Sequence, residues 1–137
     1  MRPVVEPRVV ALACLLVLAV AGCGTGARSD DAAAVSERFH AALESGDGQA
    51  ACDELSEETA SKLEQEEKKP CEKAILEVEI PEGGTVTVSG VEMRSAYIGV
   101  AQGSTDFLDE GPEGWEVSAA GCRATTPDHP YECELED

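Results

Sequence analysis

Cysteine is the residue type in this chain whose placement carries the most chemistry. There are six: Cys14, Cys23, Cys52, Cys71, Cys122 and Cys133. Their thiolates are nucleophiles, metal ligands and disulfide partners, and spacing decides among these roles. No C-x-x-C pair is present, which argues against a structural zinc site. The other reactive groups are sparse. Two histidines occur, His40 and His129, and there is no G-x-S-x-G, phosphate loop or H-E-x-x-H. Ser104 and Ser118 have no recognisable catalytic partner in the sequence. The run "EQEEKK" lacks the oxygen-rich, glycine-bent loop of a calcium hand and reads as a solvated helix face with Glu–Lys pairing. Nothing in these patterns calls for a cofactor or a bound metal.

Cys23 stands apart because of what precedes it. Arg2 and Arg8 give the chain a positive start, and Val9 to Ala21 is uninterruptedly apolar. That stretch is shorter than the ~20 residues needed to cross a bilayer as a helix, so it reads as an export signal. Two cleavage patterns compete at its end. Ala19-Val20-Ala21 fits an ordinary small-x-small site that would release a chain beginning at Gly22. Val20-Ala21-Gly22-Cys23 instead resembles the bacterial lipobox, the more specific match because it requires cysteine at one position. The thiol would carry a diacylglyceryl group, whose fatty-acyl chains, palmitate among them, contribute ~0.8 kcal/mol per buried methylene. The expected organisation is a lipoprotein signal peptide over 1–22, a flexible tether over 23–31 and one domain over 32–137. The expected address is the extracytoplasmic face of the cell membrane, with the lipid as the membrane partner. Cys14 is then a small hydrophobe discarded with the signal.

Four cysteines remain for an exported domain, and an even number in an oxidising compartment predicts disulfides. Three connectivities are possible. Cys52–Cys71 and Cys122–Cys133 are favoured because each pair lies within one local stretch. The formal net charge of −18 repels phosphates, which excludes nucleic acid as a partner. Only 4% of residues are aromatic, so two cross-links would matter to a small core.

The elements that would hold these residues fall into two halves. "SDDAAAVSERFHAALESGD" reads as an amphipathic helix capped by Asp30 or Asp31, with Val35, Phe39, Ala42 and Leu43 on its apolar face and Gly46 as its stop. Asp47 and Ser56 cap two further helices, and Pro70 opens a fourth over "PCEKAILEV". After Pro81 the pattern alternates with period two. Strands are expected over "TVTVSGVEM", with a bend at Gly90, and over "SAYIGVAQ", "STDFLDE", "WEVSAAGC" and "YECELE". The last would place Tyr131, Cys133 and Leu135 on one face. His129 falls in the loop before it. Helices followed by adjacent strands predict an α+β domain with an antiparallel sheet.

"RFHAALESGDGQAACDELSEETASKLE" resembles the helical half of small NTF2-like lipoproteins from actinobacteria, and "GWEVSAAGC…PYECELE" is similar to their closing strands and paired cysteines. The likeness spans nearly all of Asp30 to Asp137. It implies N-terminal helices packed on a curved antiparallel sheet that forms a cone. In enzymes of that fold resembling ketosteroid isomerases, a carboxylate base and tyrosine or carboxylic acid donors line the cone. Tyr97, His40 and Asp106 are the candidates the resemblance implies here. Trp115 joins them as a cone-lining or ligand-stacking aromatic. Against that, His40 directly follows Phe39 and is expected on a helix flank outside the core. The function expected is noncatalytic binding of a small ligand or an envelope protein. The alternatives are a small acid–base enzyme and a passive envelope component.

Overall fold

The computed structural model describes residues 24–137; the expected signal segment 1–22 and the lipidation candidate Cys23 lie outside the described residues. Helix α1 spans Thr25–Ser45. It therefore begins well before Asp31, and the expected tether over 23–31 is corrected: from Thr25 onward that segment is helical. The cause is tertiary. Arg28 donates to Met93 O at 2.8 Å and pairs with Glu110 at 2.9 Å, while the Ser29 and Ser89 hydroxyls meet at 2.7 Å. Neither Asp30 nor Asp31 caps the helix, whose N-cap is Gly24. Its other end is as expected, with Gly46 in the left-handed region at φ 70°.

Helices α2 (Gly48–Asp53) and α3 (Glu57–Glu67) start at the expected caps. Asp47 accepts from Ala50 N at 3.0 Å and Ser56 accepts from Thr59 N at 3.1 Å. Helix α4 (Cys71–Ala74) continues into a 3₁₀ turn over Ile75–Glu77. Cys52 and Cys71 are bonded, tying α2 to α4. On the outer side of this half, Arg38 holds Glu54 through two hydrogen bonds, of 2.7 and 2.9 Å. The bond to Glu54 raises the guanidinium above its already high ordinary value, so Arg38 stays charged.

Six strands follow: β1 (Val86–Glu92), β2 (Ser95–Val100), β3 (Ser104–Gly111), β4 (Gly114–Thr126), β5 (His129–Glu132) and β6 (Leu135–Glu136). They form a curved antiparallel sheet in the order β1-β2-β3-β4-β5, with β6 also on β4. The fold is thus α+β, with helices first and the sheet after. Two details differ from the sequence reading. The irregularity in β1 lies between Val86 and Val88 rather than at Gly90, which is occupied instead by close approach of the Tyr97 ring. The expected "YECELE" strand is two short strands interrupted at Cys133–Glu134, and His129 begins β5 instead of sitting in a loop. Both pieces keep one register against β4, with Ala120 opposite Leu135 and Arg123 opposite Glu132. That register sets Cys122 facing Cys133, and the two are bonded.

Alternation decides which strand residues enter the core. Ala96, Ile98 and Val100 of β2 and Leu108 of β3 face α1 and are buried with Phe39, Ile75 and Val117. Tyr97, between two of them, is on the opposite face and remains exposed. The space between helices and sheet is filled by these side chains. Among the described residues no helix is long and apolar enough to cross a membrane.

Candidate functional site

Ser36 and His40 lie four residues apart on α1, so one helical face carries both toward the sheet. Asp106 lies on β3 between inward-facing Ser104 and Leu108. The three meet in the interior. Ser36 Oγ donates to Asp106 Oδ2 at 2.5 Å, and His40 Nε2 lies 2.8 Å from the same oxygen. Ser36 and Asp106 are fully buried and His40 is 2% exposed. The expected helix-flank position of His40 outside the core is therefore wrong. Phe39 and His40 are both interior, because α1 packs against α2 and against β1, β2 and β4 of the sheet.

A fold irregularity completes the cluster. Thr105 pairs with Cys122 but Phe107 pairs with Ala119, so β4 carries an extra residue opposite Asp106. This bulge includes Gly121 at φ 68°, a conformation that favours glycine. It turns the Gly121 N–H inward, where Asp106 Oδ1 accepts it at 3.4 Å. A carboxylate in the core costs several kcal/mol unless its acceptor sites are filled. Here a hydroxyl, an imidazole and a backbone amide fill them.

With Asp106 as a carboxylate, which only accepts, His40 Nε2 carries the hydrogen. Nδ1 forms no hydrogen bond among the described residues. His40 also forms part of the wall of a cavity of about 210 Å³. The apolar remainder of that wall comes from Leu43 of α1, Ile75 and Leu76 of the 3₁₀ turn, and Val78, Ile80 and Pro81. Glu44 and Glu82, both exposed, also line it. Gly84 fixes the ring from outside: a Cβ there would lie 2.4 Å from His40 Cβ. Ser104 Oγ, one strand pleat from Asp106, is buried without a hydrogen-bond partner.

No family model, curated protein or solved structure matches the chain. What the site can do is argued from its geometry.

The structure brings two of the four sequence candidates together and separates the others. His40 and Asp106 are in contact. Tyr97 faces away from them on the outer side of the sheet, where its strand partner is Phe107. Trp115, half-buried at the start of β4, lies under the Arg28 guanidinium at 5.3 Å, near the N-terminal half of α1. Ser36 was missed by the sequence reading. Its i, i+4 spacing to His40 on an otherwise apolar face was the available signal.

A larger open groove of about 530 Å³ runs between the start of α3 and the β3–β4 hairpin. Glu57, Glu58, Asp109, Glu110 and Glu116 line it. It contains no buried polar group in need of a partner, and among the described residues no group of three or more His, Cys, Asp or Glu is placed to hold a metal. The smaller cavity has the buried, oriented imidazole, and the site is assigned there.

Proposed function

We propose that this chain is a lipid-anchored, extracytoplasmic domain of NTF2-like type that binds a small, largely apolar ligand without transforming it. The observation that carries the binding reading is the His40 ring, oriented through Asp106, in the wall of a cavity that Leu43, Ile75, Val78 and Ile80 also line. Ligand sites are commonly apolar with a few convergent polar groups. The noncatalytic part rests on what the cavity lacks. Acid–base catalysis needs a base and a donor that converge on the substrate. Asp106 is sealed behind His40, Tyr97 is on the other face of the sheet, and among the described residues no hydroxyl or thiol lines the cavity. The α+β order of helices and curved sheet supports the NTF2-like reading, and the two disulfides suit an oxidising compartment.

Mass spectrometry of the protein extracted from membranes tests both halves. The expected result is a diacylated chain beginning at Cys23 with a co-purifying small molecule, and loss of that molecule in a Val78→Trp variant that fills the cavity. An unlipidated chain beginning at Gly22 would sink the anchor. A ligand retained by Val78→Trp would sink the cavity assignment.

The Asp106–His40 pair supports a second reading, in which His40 Nδ1 acts as a general base held in one tautomer by its carboxylate partner. Deuterium uptake from heavy water into the co-purified molecule, dependent on His40, is its expected signature. Unchanged isotope content excludes it.

A further inference from the structure

We propose that the start of α1 and the tip of the β1–β2 hairpin lie against the bilayer, with the Met93 side chain inserted among zwitterionic lipid headgroups. The inference rests on the lipid-anchor reading above and adds which face of the domain the membrane covers.

Met93 stands in the two-residue turn between Glu92 and Ser95, which pair across the hairpin. It is 89% exposed, more than any other large hydrophobic side chain among the described residues. Its φ of 55° lies in the left-handed region, where hairpin turns favour glycine, asparagine or aspartate. A methionine there is disfavoured by the backbone and gains little packing within the domain. An apolar surface outside the domain accounts for both features.

The path of the chain brings that surface to the hairpin. Gly24 caps α1 and alone separates Cys23 from Thr25, the first helical residue. Consecutive Cα atoms are about 3.8 Å apart, so Cys23 is one such step from the cap. Arg28 follows Gly24 by four residues, about 6 Å along the axis at ~1.5 Å per residue. Its guanidinium donates to Met93 O at 2.8 Å and pairs with Glu110 at 2.9 Å, so the hairpin tip is fastened to the helix start. The headgroup layer on each side of a bilayer is roughly 5–8 Å deep, the same scale as that separation. A lipid on Cys23 therefore holds the tip at the membrane surface, and such tethering lets one apolar side chain set the orientation. Trp115 stands at the same end, under Arg28 at 5.3 Å, and tryptophan is favoured at membrane–water interfaces.

Charge selects the lipid class. Arg28 is paired with Glu110, and Arg94 donates to Glu110 O at 2.7 Å. Glu92 and Glu113 are exposed in the two turns at this end. The end is no polybasic patch, and a net charge of −18 opposes anionic headgroups. Apolar insertion into a zwitterionic surface is what remains.

The test is spin labelling of the full chain, purified from membranes and reconstituted in phosphatidylcholine vesicles. One sample carries the label on Met93→Cys. Another carries it on Glu82→Cys, at the opposite end, where the adjacent Gly83 N–H donates to Glu44 near the end of α1. The Met93→Cys label is expected to lose accessibility to an aqueous nickel chelate and gain it to oxygen, and the Glu82→Cys label to stay aqueous. Adding phosphatidylglycerol should not deepen the insertion. A label on Glu113→Cys, in the neighbouring turn, is read with Met93 intact and in Met93→Asp, which should make it more accessible to nickel. Mass spectrometry reads the diacyl group on Cys23 in every sample.

An aqueous Met93→Cys label on a diacylated chain overturns the orientation and leaves the anchor standing. Unchanged nickel accessibility in Met93→Asp overturns the role of Met93. Deeper insertion with phosphatidylglycerol overturns the zwitterionic preference. Shielding that vanishes on dilution with lipid overturns the membrane contact by assigning the tip to a second copy of the chain. A chain without the diacyl group removes the anchor reading, and the orientation falls with it.

Discussion

His40 Nε2 and Asp106 Oδ2 are 2.8 Å apart in the core, with residues from two elements 66 positions apart in sequence brought into one closed contact. A histidine and a carboxylate at this depth are costly to separate, since either one left alone keeps its desolvation penalty without its partner. The pair is therefore a structural lock as well as the means by which the imidazole is aimed.

Asp106→Asn should show the lock directly. The amide places an NH₂ group where a carboxylate oxygen accepted from Ser36, His40 or Gly121. A destabilisation of about 3 kcal/mol is expected in urea unfolding, the scale found when one partner of a buried pair is removed. Ser36→Ala, which deletes a single donor, should cost about 1 kcal/mol. Equal effects of the two would contradict the central position of Asp106.

Gly84→Ala tests how the ring is held. The backbone at Gly84 has no positive φ, so an added methyl acts only through contact with His40 Cβ, 2.4 Å from the ideal Cβ position. Overpacking of this kind costs about 1–3 kcal/mol. The His40 ring proton shifts should move as well, whereas a purely local effect on the 82–85 loop would leave them in place.

The two disulfides should behave differently on removal. Cys52–Cys71 joins α2 to α4 across the helical half, and the Cys52→Ala/Cys71→Ala variant should lose about 3 kcal/mol of global stability by the chain-entropy model. Cys122–Cys133 closes the base of an arm, residues 123–132, that is exposed along its whole length. Cys122→Ala/Cys133→Ala should mainly speed hydrogen exchange at Ala124 and Tyr131, which pair in that arm. Unchanged protection there would show that the sheet alone holds the arm.

Lys68→Gly should stabilise the protein. Lys68 ends α3 at φ 57°, a left-handed position where a side chain is disfavoured and glycine is not. The residue is exposed, so little packing is lost. A gain of about 0.5–1 kcal/mol is expected in thermal or denaturant unfolding.

Much of the architecture could be read locally. Gly46, Asp47 and Ser56 mark helix ends through backbone geometry and single capping bonds, and these signals need no distant partner. The alternation in "SAYIGV" sorts Ala96, Ile98 and Val100 to the core because strand side chains alternate whatever lies opposite. The even count and nearness of the four downstream cysteines sufficed to pair them. The start of α1 was misplaced because Arg28 and Ser29 are stabilised by Met93, Glu110 and Ser89, contacts that no local pattern contains.

The candidate site divides along the same line. Sequence by itself determined a strongly acidic chain with an apolar run from Val9 to Ala21, a helix-then-strand order and four pairable cysteines. It also placed His40 and Asp106 among the residues worth watching. Only the tertiary structure decided that those two meet, that Ser36 and the bulged Gly121 complete the contact, and that Tyr97 and Trp115 stand elsewhere. The physical reason is that periodicity tells which face of its own element a residue occupies. Which faces meet, and which buried polar groups then satisfy one another, depends on strand register and on the path of the chain between the elements.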